Sequence, residues 1–427
     1  MAELGWENAL AILESCSAGR SASALSVDAA RLRAVAAVAC ITGTERLALH
    51  EASGRVLADA PLARTSLPPF DNSAMDGYAV RIGDFKGAEP YRFRVSERII
   101  AGDTRGLSLA EGTAARIFTG APIPAGADAV IMQESVTRRG TVIEVATPPG
   151  LGLNIRREGE DRRRGEPVLP RGLRLTPPRL ALLAAAGLAY VPVHRRLRVG
   201  LFSTGNELCD PGQALDHGQI YNSNRVMLRS LIAEPWITMT DYGILPDDPG
   251  AIRAAIRQAS ASNDIVISSG GVSAGEEDHV LDALKREDAT LDVLKVAIRP
   301  GKPLTIGRVG GVLFVGLPGN PYAAAITFIQ IARPALRKAA GLLEEIDTWI
   351  PAVSGFDYLR KVGRREFLPV TWTERDALGR PVLQRLGHGS SASLGPIALA
   401  SGIAEIEPNL ERVLAGTPLR VELLHCS

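Results

Sequence analysis

Residues 263–279, NDIVISSGGVSAGEEDH, decide how this chain is read. Ile265, Val266 and Ile267 form an apolar, β-branched run of the kind that a buried strand needs. The run breaks at Ser268, Ser269, Gly270 and Gly271. It turns acidic at Glu276, Glu277 and Asp278, and a helical pattern begins at Val280. A strand that ends in small residues and feeds a helix predicts a pocket of backbone N–H groups. Glycine lets that backbone approach an anion closely. The same stretch also fits G-x-S-x-G over residues 271–275, the nucleophile elbow of serine hydrolases. It therefore offers two functions, an anion pocket or a hydrolase.

The surrounding sequence alternates strand and helix patterns. Strands are expected at 197–202, 236–245, 265–267 and 312–315, with helices at 226–232, 251–259, 280–285 and 323–331. A segment over 291–298 leads to Arg299, Pro300, Gly301, Lys302 and Pro303. Such alternation predicts a doubly wound parallel sheet. Ligands of these sheets bind beyond the carboxyl ends of the strands. The unusual residues gather there: Thr204, Gly205, Asn206 and Glu207; Asp247 and Asp248; 268–278; and 316–321.

Outside this region the texture differs. Ser26 is placed to cap a helix with Asp28 in its first turn, and a second helical pattern runs over 50–57. Pro68 and Pro69 then force an extended entry into Asp71, Asn72, Ser73 and Asp76, either a capped turn or a rigid ligand contact. Short strands with Gly and Pro turns fill 91–145. Residues 156–174 are dense in charge and read as a solvated connector, with Asp161 among arginines. Pro177 and Pro178 open a helix that ends at Gly187. Short strands return after residue 340. The domains expected are a lead at 1–25, partly disordered; a helical and extended linking and dimerisation segment at 26–66 and 155–192; a β domain at 67–154; an α/β domain at 193–340; and a C-terminal β domain at 341–427.

The totals exclude several classes. With 427 residues the chain exceeds one ordinary core. A net charge of +1 exerts no global pull on nucleic acid or membrane, and 5% aromatic residues build no stacking platform. Cys16, Cys40, Cys209 and Cys426 form no zinc spacing, and scattered cysteines fit a reducing compartment. The N-terminal residues carry no signal-peptide pattern, and the longest apolar run, 180–193, falls short of the ~20 residues of a membrane span. The expectation is a cytoplasmic protein with no nucleic acid and no membrane as partner.

The strand ends carry the chemistry. Gly-rich turns with Arg299 and Lys302 point to a polyanionic ligand. Glu207, Asp278 and Asp71 beside phosphate are repulsive unless a cation lies between them. Mg²⁺ makes that connection with little protein ligation, so the pattern points to a phosphoanhydride with Mg²⁺. Taken singly, each carboxylate is as readily a helix cap. The hydrolase reading is weak, because no HGGG-like segment precedes Ser273. His279 lies too near in the chain, and His388 and His425 belong to the C-terminal β domain. Walker A, G-x-G-x-x-G and H-E-x-x-H patterns are absent.

Seven blocks in one order resemble the molybdopterin molybdenumtransferase family, the MoeA-like proteins related to the gephyrin E domain. They are LPPFDNSAMDGYAV (67–80), IFTGAPIPAGADAVIMQE (117–134), REGED (157–161), STGNEL (203–208), SSGGVSAGEEDH (268–279), AIRPGKPL (297–304) and GLPGNPYAA (316–324). The resemblance implies a multidomain α/β plus β protein. Its doubly wound domain is molybdopterin-adenylyltransferase-like, with an inserted-type β domain, a helical and extended linking domain and a C-terminal β-barrel-like domain. It implies a homodimer whose active site lies at the protomer interface, and hand-off from a molybdopterin adenylyltransferase. The implied reaction inserts molybdate into adenylylated molybdopterin, with Mg²⁺-dependent cleavage of the phosphoanhydride and release of AMP. The alternative is a non-catalytic molybdopterin-binding or scaffold protein on the same fold.

Matched by motif, the implied catalytic residues are Asp71, Thr119, Glu207, Asp278 and Lys302, with Asp71 and Thr119 supplied by the partner chain. The implied substrate-binding residues are Asp161, Thr204, Gly205, Ser269, Gly270, Gly271, Ser273, Arg299, Pro318, Gly319 and Pro321. Glu207 and Asp278 are the implied Mg²⁺ ligands. Two positions depart from the family pattern. Asn206 stands where Asp is common, and Arg299 where Lys is frequent.

Overall fold

The computed structural model describes residues 24–271, 279–287, 289–301, 303–343 and 349–424, with the backbone alone of 292–294. Ser273, Asp278 and Lys302 lie outside the described residues, as does most of the N-terminal lead.

The strand in the opening motif, Ile265–Ser269, sits near the middle of a six-stranded sheet. Leu197–Thr204 flanks it on one side and Val312–Leu317 on the other, both parallel to it; Ile237–Leu245 lies parallel beyond Leu197–Thr204. Successive side chains point to opposite faces. Val199, Leu201, Ile265, Ile267, Leu313 and Val315 pack with Leu228 and Ile232 of the Ser223–Ile232 helix and with Tyr322 and Ile326. Phe202, Val266 and Phe314 face the other way, onto Ile252 and Ile256 of the Pro249–Ser262 helix and Val280 and Leu284 of His279–Arg286. Burial on both faces explains why the strands read as continuous apolar runs rather than alternating ones.

One edge differs from the sequence expectation. Val312–Leu317 continues antiparallel to Pro303–Val309, which continues antiparallel to Thr290–Lys295. No crossover helix joins Pro303–Val309 to Val312–Leu317. Gly310 and Gly311, both at positive φ (56° and 88°), turn the chain directly back as a hairpin. The sheet is therefore four parallel strands with a two-strand antiparallel edge.

The C-terminal strands close a barrel. Arg365–Thr371, Val382–Arg385, Trp349–Ser354, Pro418–Leu423 and Gly402–Ile406 pair in that order, and Gly402–Ile406 pairs back to Arg365–Thr371. Closure gives each of the five a partner on both sides over at least part of its length. A short extension from the α/β region, Ile298–Arg299, adds to this barrel parallel to Arg365–Thr371. The N-terminal β region is a second six-stranded sheet, and Asn72–Ser73 pairs beside it with Ile155–Arg156.

Thr44–Ala48 and Tyr190–His194 pair between these bodies, next to the Pro177–Ala185 helix. The helix expected over 50–57 is only a 3₁₀ turn, Leu49–Glu51; Val56 and Leu57 instead bridge to Arg174 and Val193. Leu57 is buried in the core of this segment and Val56 in that of the α/β region, and this burial overrides local helix preference. The first helix, Val27–Ala36, is capped by Ser26, whose hydroxyl accepts from the Ala29 N–H at 3.1 Å. Arg31 of this helix donates to the Gln330 carbonyl and side chain, both at 2.9 Å.

Asp264 opens the central strand and fixes its register. It accepts from Arg195 at 2.7 and 2.8 Å and from the Arg198 N–H at 2.8 Å. Burial pushes its pKa up, but the bonds from Arg195 and Arg198 outweigh burial and hold it down at about 2, against 3.8 ordinarily. A depressed pKa stabilises the fold above the unfolded value, and that contribution disappears as pH falls through the folded value. Asp264→Asn should therefore lower Tm at pH 7 by roughly 2–5 °C. It should also flatten the loss of Tm between about pH 4 and pH 2. Calorimetric scans of the two proteins across that range check both; parallel curves would contradict the assignment.

Candidate functional site

The three parallel strands stop level with one another. Ser203 is opposite Ser269, and Ser269 is opposite Leu317. The turns that follow thus leave the sheet at one edge, where they border a cleft of about 810 Å³. Thr204, Glu207, Ser269, Gly270, Pro318, Gly319 and Pro321 line it from the sheet side, and Arg299 lines it from the barrel extension. Eight of the residues assigned from sequence thus converge on one cavity.

Gly270 shows why the turn is built as it is. Its φ is +89°, and a Cβ there would lie 2.7 Å from the Thr204 carbonyl oxygen. Only glycine allows two strand ends to come this close. Gly205 and Gly271 flank the same contact: a Cβ on Gly205 would strike the Glu207 carboxylate, and one on Gly271 would lie 2.7 Å from Thr204 Oγ1.

Asn206 has a structural role in the same turn. Its Oδ1 accepts from the Asp247 N–H at 3.1 Å, while its own N–H donates to Asp247 Oδ2 at 2.9 Å. An aspartate in its place would set two carboxylates against each other. The clasp ties the loop carrying Glu207 to the neighbouring strand end. No bond is formed between the Glu207 carboxylate and the described residues. Among the described residues no group of three or more His, Cys, Asp or Glu is placed to hold a metal. Among the described residues, one uncommitted carboxylate beside a roomy cleft lined by arginines fits Mg²⁺, which takes one or two protein carboxylates and completes its shell with phosphate and water.

Several lining residues escape sequence reasoning. Asn224, 7% exposed, donates at 2.8 Å to Ser269 Oγ and at 2.7 Å to the Gly319 carbonyl, joining two of the turns. Asn222 caps the Ser223–Ile232 helix, whose positive end faces the cleft and favours an anion there. The barrel adds Arg364 and Ser391, and Ser391 accepts from Asn320 Nδ2 at 2.9 Å. Asn222 and Asn224 sit in a stretch without glycine, and Arg364 and Ser391 are far away along the chain. The spacing of helix caps is a signal for Asn222, and no such signal marks Arg364 or Ser391.

Asp71, Thr119 and Asp161 do not line this cleft within one chain; they gather on the N-terminal β region. Asp71 accepts from Arg157 Nη1 at 2.6 Å and from the Glu158 N–H at 2.8 Å. The Glu158 N–H, aided by Arg157, outweighs burial and holds the Asp71 carboxyl below its usual range. Thr119 donates its N–H and its hydroxyl to Asp76 Oδ1, at 2.8 and 2.7 Å. These bonds depress the Asp76 pKa and make Asp76 a member of this group, whose sequence context fits a turn residue and a ligand contact alike. Asp161 bonds through its N–H to the Leu67 carbonyl, at 3.0 Å.

Three family models match the chain in succession: the MoeA N-terminal region (domain I and II) over 25–187, a probable molybdopterin binding domain over 200–338, and the MoeA C-terminal region (domain IV) over 351–424. The chain is 36% identical over 400 residues to molybdopterin molybdenumtransferase of Haemophilus influenzae, covering 93% of this chain and 98% of that one. It is 39% identical over 383 residues to molybdopterin molybdenumtransferase 2 of Mycobacterium tuberculosis, covering 87% and 93%. A crystal structure of the molybdopterin biosynthesis MoeA protein of Pyrococcus horikoshii superposes with a TM-score of 0.80 at 30% identity, covering 94% of this chain and all of that one.

Asn224→Leu removes both bonds that tie the Ser269 and Gly319 turns together. It should cost ~1–3 kcal/mol, because the buried Ser269 hydroxyl loses the Asn224 donor and the Gly319 turn loses its tie. Urea denaturation measures this as a lower midpoint at unchanged slope. An unchanged midpoint would mean that the turns hold themselves.

Proposed function

Because the chain belongs to the molybdopterin molybdenumtransferase family, we propose that it is a transferase of molybdenum cofactor biosynthesis that inserts molybdate into adenylylated molybdopterin. One observation carries the reading beyond family membership: glycine turns, a carboxylate and arginines from two bodies meet in a cleft sized for a nucleotide-linked substrate. The Gly270 and Gly319 turns and the positive end of the Ser223–Ile232 helix take the phosphoanhydride. Thr204 and Asn222 supply further polar contacts. Arg299, Arg364 and Lys302 hold molybdate, a dianion, and offset charge that grows on the phosphate oxygens during cleavage. Pro318 and Pro321 fix the turn between them.

Mg²⁺ is the metal of this proposal, with Glu207 and Asp278 as its protein ligands. When bound, it draws charge from the phosphate oxygens and so eases departure of AMP. The chain's own residues bind, orient and neutralise.

The working unit in this reading is a homodimer, in which Asp71, Thr119 and Asp161 of one chain complete the cleft of the other. Two features support it. These residues lie off the cleft of their own chain, and the loop that bears Asp71 exposes Phe70 and Met75. Adenylylated molybdopterin arrives from a molybdopterin adenylyltransferase. Among the described residues no helix is long and apolar enough to cross a membrane.

Incubating the protein with adenylylated molybdopterin, Mg²⁺ and molybdate should release AMP, and release should depend on molybdate. Glu207→Gln should lower that rate by about 10²-fold or more, comparable to the loss of one preorganised electrostatic contact at a transition state. AMP release that ignores molybdate would defeat the insertion reading; full activity of the variant would remove Glu207 from the mechanism.

A further inference from the structure

Arg299 is held in an unusual way. It lies in the two-residue extension Ile298–Arg299, which pairs with the barrel so that Arg299 is directly opposite Glu366. Its Nε is 3.2 Å from Glu366 Oε1. The Glu366 side chain is only 2% exposed, whereas that of Arg299 is 40% exposed and borders the cleft. Arg299 Nη2 lies within 3.9 Å of where a Cβ on Gly389, another cleft-lining residue, would stand. One edge of the guanidinium is thus docked in the barrel, while its far end reaches the cavity.

Glu366 is itself flanked by two further barrel side chains. Tyr358 donates its hydroxyl to Glu366 Oε1 at 2.9 Å, and Arg360 Nε stands 3.1 Å from Oε2. The Arg360 side chain is 1% exposed and is spent on backbone carbonyls, including that of Glu407 at 2.8 Å. Arg360 therefore balances the buried carboxylate within the barrel. The charge of Arg299 is left available to a ligand.

We propose that Glu366 is a positioning residue for the oxyanion site: it takes Arg299 by Nε and so presents the Nη groups to a tetrahedral oxyanion in the cleft. The inference rests on the proposed function for its ligand, and it adds a requirement that this reading lacks. The residue at 299 must be arginine, not merely a cation. A lysine carries one nitrogen. It either pairs with Glu366 or reaches the cleft, and cannot do both.

The test is calorimetric titration of the full chain with molybdate, using wild type, Arg299→Lys, Arg299→Gln, Glu366→Gln and the double variant Arg299→Gln with Glu366→Gln. Arg299→Lys should weaken binding roughly tenfold or more, close to the loss in Arg299→Gln, as expected for a charge-assisted bond. Glu366→Gln should weaken it comparably alone, yet add less than about twofold in the Arg299→Gln background, since coupled residues are not additive. A purely structural role for Glu366 would lower affinity in both backgrounds, and that result overturns the proposal. If Glu366→Gln does not fold, the Lys and Gln variants at the exposed position 299 still decide. Arg299→Lys binding within about twofold of wild type would overturn the positioning role alone. No molybdate binding by wild type would overturn it together with the oxyanion reading.

Discussion

Leu197–Thr204, Ile265–Ser269 and Val312–Leu317 run parallel and end at the same level, and the site depends on that register. A parallel sheet buried on both faces has little freedom to slip, because a one-residue shift would move Phe202, Val266 and Phe314 into the wrong core. The register thereby sets the height at which each turn leaves the sheet. Only then can Gly270 approach Thr204, and only then can Asn224 reach both Ser269 and Gly319. Hydrophobic packing holds the polar edge in place, and the polar edge adds bonds that keep the turns from fraying.

The barrel contributes the opposite wall. It joins the α/β region through the Ile298–Arg299 pairing, the contact of Arg299 with Glu366, and bonds from Tyr322 to the Phe367 carbonyl and from Asn320 to Ser391. A carboxylate as buried as Glu366 is costly unless paired and hydrogen-bonded on every side. Here Tyr358 supplies a hydrogen bond, and Arg360 and Arg299 stand at ion-pair distance on the two oxygens. A site shared between bodies also places Arg364 and Ser391 across from the glycine turns. The cleft is a product of packing between units, and neither unit alone encloses it.

Much of the fold and the site is legible in the residues. The strand cores show as β-branched runs, and the strand ends as glycine, serine and carboxylate clusters, because buried parallel strands and anion-binding turns each demand those residue types. Thr204, Glu207, Ser269, Gly270, Arg299, Pro318, Gly319 and Pro321 stand out by residue type and motif alone, and they share one cavity. Other features leave no local mark. The antiparallel edge depends on Gly310 and Gly311 forming a hairpin rather than a loop to a helix, and apolar runs alone do not distinguish the two. The 50–57 segment has helix-forming residues but is drawn into bridges by burial of Val56 and Leu57. Glu366 reads as an ordinary strand carboxylate until the barrel brings Arg299 opposite it.

The central claim is that the substrate lies between the strand ends and the barrel. Hydrogen exchange read by mass spectrometry, with and without AMP, Mg²⁺ and molybdate, tests it most directly. The account predicts slower exchange in 204–208, 269–271, 298–301, 318–321 and 389–392 when the ligands are added, and in 71–73 and 157–161 through the proposed dimer. Protection confined to other surfaces, with the strand-end turns exchanging as before, would contradict it.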